Sequence, residues 1–330
     1  MHAEWTSYTL NFKFLARTSR EAMRQKQTYF VRIGDRIGEC ALFRGLSADD
    51  LPDYEKQLSL ACENPDVLSE YSSIRFGFET TMLPPSDDTP FMRGDEGIPI
   101  NGLIWMGDRN EMRVRIDDKL ASGFHILKMK IGGIDFEQEI ELLRYIRSRY
   151  SADVLELRLD ANGSFTPENA LERLKYLSDY NIHSIEQPIK AGQVREMSRL
   201  CEQSPIAIAL DEELIGTPSK ESCAKLLDEI HPQFIILKPA LCGGLSGADF
   251  WADSAENRGI GWWATSALES NIGLMAIARW VSCRGVTLPQ GLGTGQLYTN
   301  NIPSPLYLRG DRLFYNPECS WQIPDFSWHR

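Results

Sequence analysis

Apolar and polar residues alternate along "YTLNFKFL" (8–15), "QTYFVRIG" (27–34) and "RIGECALFRG" (36–45). A period of two belongs to half-buried strands, so the chain is expected to open with antiparallel strands joined by short turns. Between the first two, "RTSREAMRQK" (17–26) is polar, basic and too long for a tight hairpin, and reads as a loop. Residues 48–82 carry helical signals: "SADDLPDYEKQLSLAC" opens on an Asp- and Ser-rich cap, and "LSEYSSIRFGFETTML" follows. "PPSDDTPFMRGDEG" (84–97), dense in Pro, Gly and Asp, reads as a linker.

From residue 98 apolar strands alternate with amphipathic helices. The strands are "INGLIWMG" (100–107), "HILKMKIG" (125–132), "VLELRLDA" (154–161), "HSIEQP" (183–188), "IAIALDE" (206–212), "FIILKPA" (234–240), "GWWATSA" (261–267) and "VTLPQG" (286–291). Residues 135–150 set Phe136, Ile140, Leu143 and Ile146 on one stripe, and 166–180 begin with Thr-Pro, a favoured helix start. Eight strands about one βα unit apart predict an α/β fold of the (β/α)8 type, a modified TIM barrel, behind an α+β N-terminal capping domain. An open doubly wound sheet is the alternative, but it would carry a Gly-rich phosphate loop after its first strand, and none is present. The expected division is 1–97 for the capping domain, 98–303 for the barrel, and 304–330 for a tail that packs back on the cap.

A formal net charge of −11 argues against nucleic acid or an anionic membrane as partner, since both would repel the chain. No apolar run approaches a membrane span, and the N-terminus lacks the basic start and apolar block of a signal peptide. The seven cysteines are scattered with no Cys-x-x-Cys pair, which points to reduced thiols in the cytoplasm rather than disulfides or a zinc site. The histidines are dispersed as well, so a metal would have to be held by carboxylates.

The strand ends carry the chemistry. In a barrel of this kind reactive groups gather at the C-terminal ends of strands. Lys130, Asp160, Glu186, Asp211 and Lys238 end the second to sixth strands, and the last four are spaced by 26, 25 and 27 residues. One βα unit separates neighbours, so all would project into one mouth. Any one acid alone reads more readily as a helix cap or a solvated loop residue. Three converging acids would repel unless a cation shared them, and hard oxygen donors favour Mg²⁺, with Mn²⁺ able to substitute. In "LKMKIG" (127–132), Lys128 and Lys130 share a face. On an edge strand such a pair would face water, but the second strand of a barrel has no free edge. Both lysines then point into the mouth, where burial and a cation would lower the ammonium pKa and make Lys130 a general base, with Lys128 as its electrostatic tuner. Lys238 arrives from across the barrel.

As an ordered set, the Lys-x-Lys strand, "LDAN" (159–162), "IEQP" (185–188), "LDEE" (210–213) and "LKPALCGG" (237–244) resemble the enolase superfamily, muconate-lactonizing-enzyme subgroup. The resemblance spans the whole chain. It implies that Asp160, Glu186 and Asp211 are metal ligands and that Lys130 and Lys238 lie on opposite faces of the substrate. "INGLIWMG", "TSALESNIG" (265–273) and "GLGTGQLYTNNIPSPL" (291–306) look most like the subgroup's dehydratases, which form 2-succinylbenzoate in menaquinone biosynthesis. Dipeptide epimerases of the subgroup often carry Asp-x-Asp where this chain reads "GLGTG". Gly291 and Gly293 would instead offer backbone N–H groups to a carboxylate.

The resemblance therefore implies a small-molecule carboxylate substrate, with Lys130 removing an α-proton and Lys238 stabilising the resulting charge. Arg158 has the parity of Asp160; it could meet the substrate or pair with Glu156, and both readings stand. Asn162 and Glu212 could orient the ligands, while Ser266, Glu269 and Ser270 belong to a turn with a weaker claim on the site. Loop 17–26 is expected to close over the mouth as a lid. An epimerase or racemase using both lysines as bases, and a non-catalytic metal-binding barrel, are the rival functions. The intact lysine pair argues against the second rival.

Overall fold

A computed structural model describes residues 2–17, 22–65, 69–84 and 87–329. Three antiparallel strands, β1 (Ala3–Arg17), β2 (Ala22–Ile33) and β3 (Arg36–Cys40), form the first sheet in the order β1-β2-β3. The stretch expected to be a loop is largely strand: Arg17 pairs with Ala22 and Asn11 with Gln25, after a register shift between Asn11 and Ala16. Residues 18–21, between the two strands, lie outside the described residues, as does that part of the expected lid. Polarity misled here because the outer part of a long hairpin can be polar on its solvent face and still pair its backbone.

Helices α1 (Tyr54–Glu63) and α2 (Ser72–Met82) cover the sheet, burying Tyr29, Val31, Leu58, Ile74 and Phe78 between them. Residues 48–53 form turns rather than the start of a helix. Gly38 and Gly77 let α2 lie directly on β3, because a Cβ at Gly38 would stand 1.9 Å from the Gly77 carbonyl oxygen.

The barrel follows a two-residue strand, β4 (Ile98–Pro99). It alternates β5 (Gly102–Ile104), α3 (Arg109–Ala121), β6 (Ile126–Lys130), α4 (Phe136–Arg147), β7 (Glu156–Asp160) and α5 (Pro167–Ser178). It continues with β8 (Ser184–Glu186), α6 (Val194–Gln203), β9 (Ala207–Leu210), α7 (Lys220–Ile230), β10 (Phe234–Leu237), α8 (Gly244–Glu256), β11 (Gly261–Ala264) and α9 (Asn271–Arg284). The start of α3 carries a capping box, in which Asp108 accepts from the N–H groups of Asn110 and Glu111 while Glu111 accepts from the Asp108 N–H, whereas Asp53 before α1 makes no side-chain cap.

The parallel sheet runs β5-β6-β7-β8-β9-β10-β11, one strand fewer than expected. The eighth survives as two bridges, Gln290 to Ile100 and Gly291 to Thr265, which join the two edges and close the barrel. Pro289 explains the reduction, since it cannot donate to a ladder. Gln290 compensates with its side chain, whose Oε1 accepts from the Ala264 N–H at 2.6 Å. Inside the barrel Ala209, Ile236 and Trp263 pack together, while Leu127, Met129, Leu157, Leu159 and Ile185 face the helices.

The chain ends with the hairpin β12 (Leu306–Arg309) and β13 (Arg312–Tyr315), which adds β4 as a third strand. Beyond it, Phe326 packs on Tyr8 and Phe30, and His329 bridges Trp5, so the last residues lie on the first sheet. No helix among the described residues is long and apolar enough to cross a membrane.

Candidate active site

Strand register assembles the site. Lys130 on β6 stands beside Asp160 on β7, and Asp160 beside Glu186 on β8. Asp211 follows the last residue of β9 and Lys238 the last of β10, four strands across from β6. All three carboxylates are buried. Lys128 Nζ lies 2.5 Å from Glu186 Oε2 and 3.0 Å from Asp160 Oδ2; Lys130 Nζ lies 2.9 Å from Asp160 Oδ2; Lys238 pairs with Asp211. The five residues expected at the strand ends are therefore brought together, with Lys128 beneath them.

The electrostatics run against one expectation. Burial alone would lower the Lys128 ammonium, but Asp160 and Glu186 outweigh it and raise its pKa; Asp211 and Glu186 do the same for Lys238. The sequence argument lowered the lysines by assigning the acids' charge to a cation, whereas here those acids act on the ammonium groups directly. Burial pushes Asp160 upward too, yet Lys128 and Lys130 hold it below the ordinary carboxylate range. Burial and the charge of Asp160 push Glu186 up to about 8.

The donor set suits a hard cation, being three carboxylates from neighbouring strands. Glu186 Oε1 is buried with no hydrogen-bond partner, an open donor at the centre of the group. Yet among the described residues no three acids converge as a ready-made metal cluster, because each is turned onto a lysine. A bound cation would compete with those lysines for the same oxygens.

Above this floor is a cavity open to the capping domain. Lys128, Lys130, Asp160, Asn162, Glu212 and Lys238 line its charged side. Asn162 accepts from Lys130 Nζ at 2.6 Å and donates to Glu212 at 3.3 Å, so the two lie beside Lys130. Ser266, Gly291 and Gly293 line another side. The Gly291 N–H, however, already donates to the Ala264 carbonyl at 2.7 Å as part of barrel closure and is not open to a substrate carboxylate. Ser270 and Glu269 sit behind Ser266, outside the cavity lining.

Arg158 does not reach the cavity. It is buried within the barrel, donating to Glu156 at 2.7 Å and to the Pro289 carbonyl at 3.0 Å, with its guanidinium 4.3 Å from the centre of the Trp263 ring. Of its two sequence readings, the ion pair with Glu156 is the one the fold realises. Parity set the side chain inward but not at what depth.

Several lining residues were not singled out from sequence. Phe43 and Leu46 descend from the capping domain, and Leu103 and Trp105 line the cavity beside β6, with Lys130 Nζ 5.9 Å from the Trp105 ring centre. Gln187, buried at φ 41°, accepts from the Asp211 N–H through its side chain and donates to the Ile189 carbonyl. Its place after Glu186 in "IEQP" was the available signal: a buried amide following a strand-end acid is well placed to orient the next one.

The family profile for Enolase C-terminal domain-like proteins matches residues 111–299, more than half of the chain. The o-succinylbenzoate synthase of Desulfotalea psychrophila is 44% identical, over 95% of this chain and 98% of its own length. The crystal structure of MenC from that organism superposes with a TM-score of 0.82, covering 95% of this chain and 99% of that one, at 40% identity. A hydrophobic dipeptide epimerase from Enterococcus faecalis is 30% identical over 53% of this chain and 48% of its own length. Muconate lactonizing enzyme from Pseudomonas fluorescens shares the fold, with a TM-score of 0.81 at 20% identity over 98% of this chain and 96% of that one.

Proposed function

The chain belongs to the enolase superfamily, and we propose that within it the protein acts as an o-succinylbenzoate synthase. The reaction is syn-dehydration of 2-succinyl-6-hydroxy-2,4-cyclohexadiene-1-carboxylate to 2-succinylbenzoate in menaquinone biosynthesis. The observation that carries this reading is the placing of Lys130 and Lys238 four strands apart across a buried carboxylate floor, under a cavity whose glycine segment contributes no acid. Similarity to the Desulfotalea synthase over nearly the full length of both chains supports the same activity. Seven unpaired cysteines are consistent with a cytoplasmic enzyme.

In this reading the amine of Lys130 takes the proton α to the substrate carboxylate. As the bond from C6 to its hydroxyl breaks, the electron pair of the broken C–H bond completes the aromatic ring. Lys130 returns its proton to the departing hydroxide, so water leaves from the same face. The Lys238 ammonium lies across the ring and balances the negative charge that collects on the carboxylate as the C–H bond weakens. Lys128 fixes Asp160 and Glu186, and Asn162 with Glu212 holds the Lys130 nitrogen in place. Asp160, Glu186 and Asp211 would hold a divalent cation, Mg²⁺ with Mn²⁺ as substitute, whose charge stabilises the deprotonated substrate. Phe43, Leu46, Leu103 and Trp105 offer an apolar surface to the ring and exclude water from it.

The test is to follow ring formation from the hydroxycyclohexadiene acid alongside deuterium exchange at the α-carbon of dipeptides and N-acylamino acids. Ring formation with little exchange is expected. Efficient epimerisation without ring formation would reassign the product, because Lys130 and Lys238 could equally serve as two opposed bases.

A further inference from the structure

Behind the cavity wall, four elements bring buried charges together. Lys26 and Thr28 come from β2 and Glu39 from β3. Glu269 and Ser270 precede α9, and Tyr298 follows the glycine segment. Glu39 is fully partnered: it accepts from the hydroxyls of Thr28 and Ser270 and from the N–H groups of Ser270 and Gly273. Glu269 accepts from the Ser266 hydroxyl through one oxygen, but its other oxygen, Oε1, has no partner. Lys26 Nζ is likewise buried without a hydrogen-bond partner. Across the interface of the capping sheet and the barrel, Lys26 feels the charge of Glu39 most strongly and that of Glu269 next, and it is the charge that acts most strongly on Glu269.

The turn they flank is strained. Leu268 lines the cavity at φ 64°, a left-handed conformation that a branched, non-glycine residue adopts at a cost. It is held by Ser266 Oγ, which accepts from the Leu268 and Glu269 N–H groups, and by the Tyr298 hydroxyl, which donates to the Leu268 carbonyl at 2.8 Å. Ser266 Oγ is in turn fixed by Glu269. Such a conformation persists only where its surroundings over-determine it, and Glu39 supplies the cap's hydrogen bonds to this turn through Ser270.

We propose that Lys26 and Glu269 form a coupled buried pair that positions the strained turn 266–270, and through it the Ser266–Leu268 wall, for substrate binding. Both are positioning residues, acting through Ser266 and Leu268 rather than by contact with the substrate. The segment expected to be a lid thus contains, at Lys26, a buried strut. The inference rests on the synthase reading for the identity of the ligand, and its test separates the two.

Lys26→Met, Glu269→Gln and the double variant are compared with wild type at pH 8 with Mg²⁺. Three readouts are needed: thermal unfolding, calorimetric binding of 2-succinylbenzoate, and steady-state kinetics. Each single change is expected to lower the melting temperature and to raise Kd and KM roughly tenfold, with little change in kcat; a tenfold loss is about 1.4 kcal/mol. The double variant should recover part of the loss, since Glu269 no longer carries a charge without its cation and Glu39 keeps its four hydrogen-bond donors. Additive losses, unchanged KM, or a fall confined to kcat would each overturn the proposal. If Lys26→Met does not fold, Glu269→Gln decides by itself. Burial holds the Glu269 carboxyl at about 7, so the variant should bind more weakly than wild type at pH 8 but match it at pH 6; an equal deficit at both overturns the pairing. Failure of wild type to bind 2-succinylbenzoate would count against the synthase reading, while coupling in the unfolding data would still report on the pair.

Discussion

On the cavity floor, each charged group arrives at the end of a buried parallel strand, and Lys130, Asp160 and Glu186 stand in direct register. On the wall facing the cap, the partners come from distant parts of the chain: Glu39 accepts from Ser270, 231 residues away. Glu79 makes a similar long-range attachment, accepting from the Leu245 and Ser246 N–H groups at the start of α8. Both glutamates meet helix N-termini, where a carboxylate is favoured by free N–H groups and the helix dipole. The difference is one of mechanism. The floor is set by strand periodicity within the barrel, whereas the wall depends on how the capping sheet docks onto it. Substitutions on the floor should therefore act on the chemistry, and those on the wall on binding.

The largest effect tests the floor. Lys130→Ala is expected to reduce kcat by several orders of magnitude, with a smaller effect on ground-state binding, and to abolish exchange of the substrate α-proton with solvent. Retained dehydration at a comparable rate would move the base elsewhere, with Lys238 the first suspect. Glu186→Gln should remove most activity and weaken Mg²⁺ binding measured by calorimetry, while circular dichroism shows an intact fold. Near-normal turnover after chelation would remove the cation from the account.

Arg158 sharpens the comparison, because it shares a strand with Asp160 yet lies below the site. Arg158→Met removes an ion pair to Glu156, a bond to the Pro289 carbonyl and a stack on Trp263. Glu156 is half-buried, so the expected loss of stability is about 1–3 kcal/mol, read from denaturant unfolding. KM should stay within a few-fold of wild type. A large rise in KM with unchanged stability would return Arg158 to the substrate.

The floor was legible because strand ends in a parallel barrel repeat at the spacing of one βα unit, and Asp160, Glu186, Asp211 and Lys238 mark that spacing. The wall was not legible for the same reason: no local period links Lys26 to Glu269 or Glu39 to Ser270. Polarity made 17–26 resemble a loop, although Lys26 is buried in a strand. The eighth strand was expected in full from "VTLPQG", but Pro289 limits it to two bridges and commits the Gly291 N–H to barrel closure. The direction of the lysine shifts depends on where the acids' charge is assigned, which only the pairing geometry reveals.

A pH-dependent effect concerns a carboxylate one step out from the floor. Glu139, in the first turn of α4, accepts from the Gly132 N–H at 2.5 Å and so pins the loop that follows Lys130. Burial raises its carboxyl to about 7 against the pull of the surrounding N–H groups. Between the ordinary glutamate value and about 7 the folded protein holds this proton and the unfolded chain does not. The resulting stabilisation is complete below the ordinary value and is lost as pH rises through about 7. Glu139→Gln, which cannot titrate, should resemble wild type near pH 4.5 and gain on it steadily toward pH 8. The full difference is about 3 kcal/mol. Denaturant melts of both proteins across that range provide the measurement, and a stability difference that does not change with pH would show that Glu139 is ionised throughout.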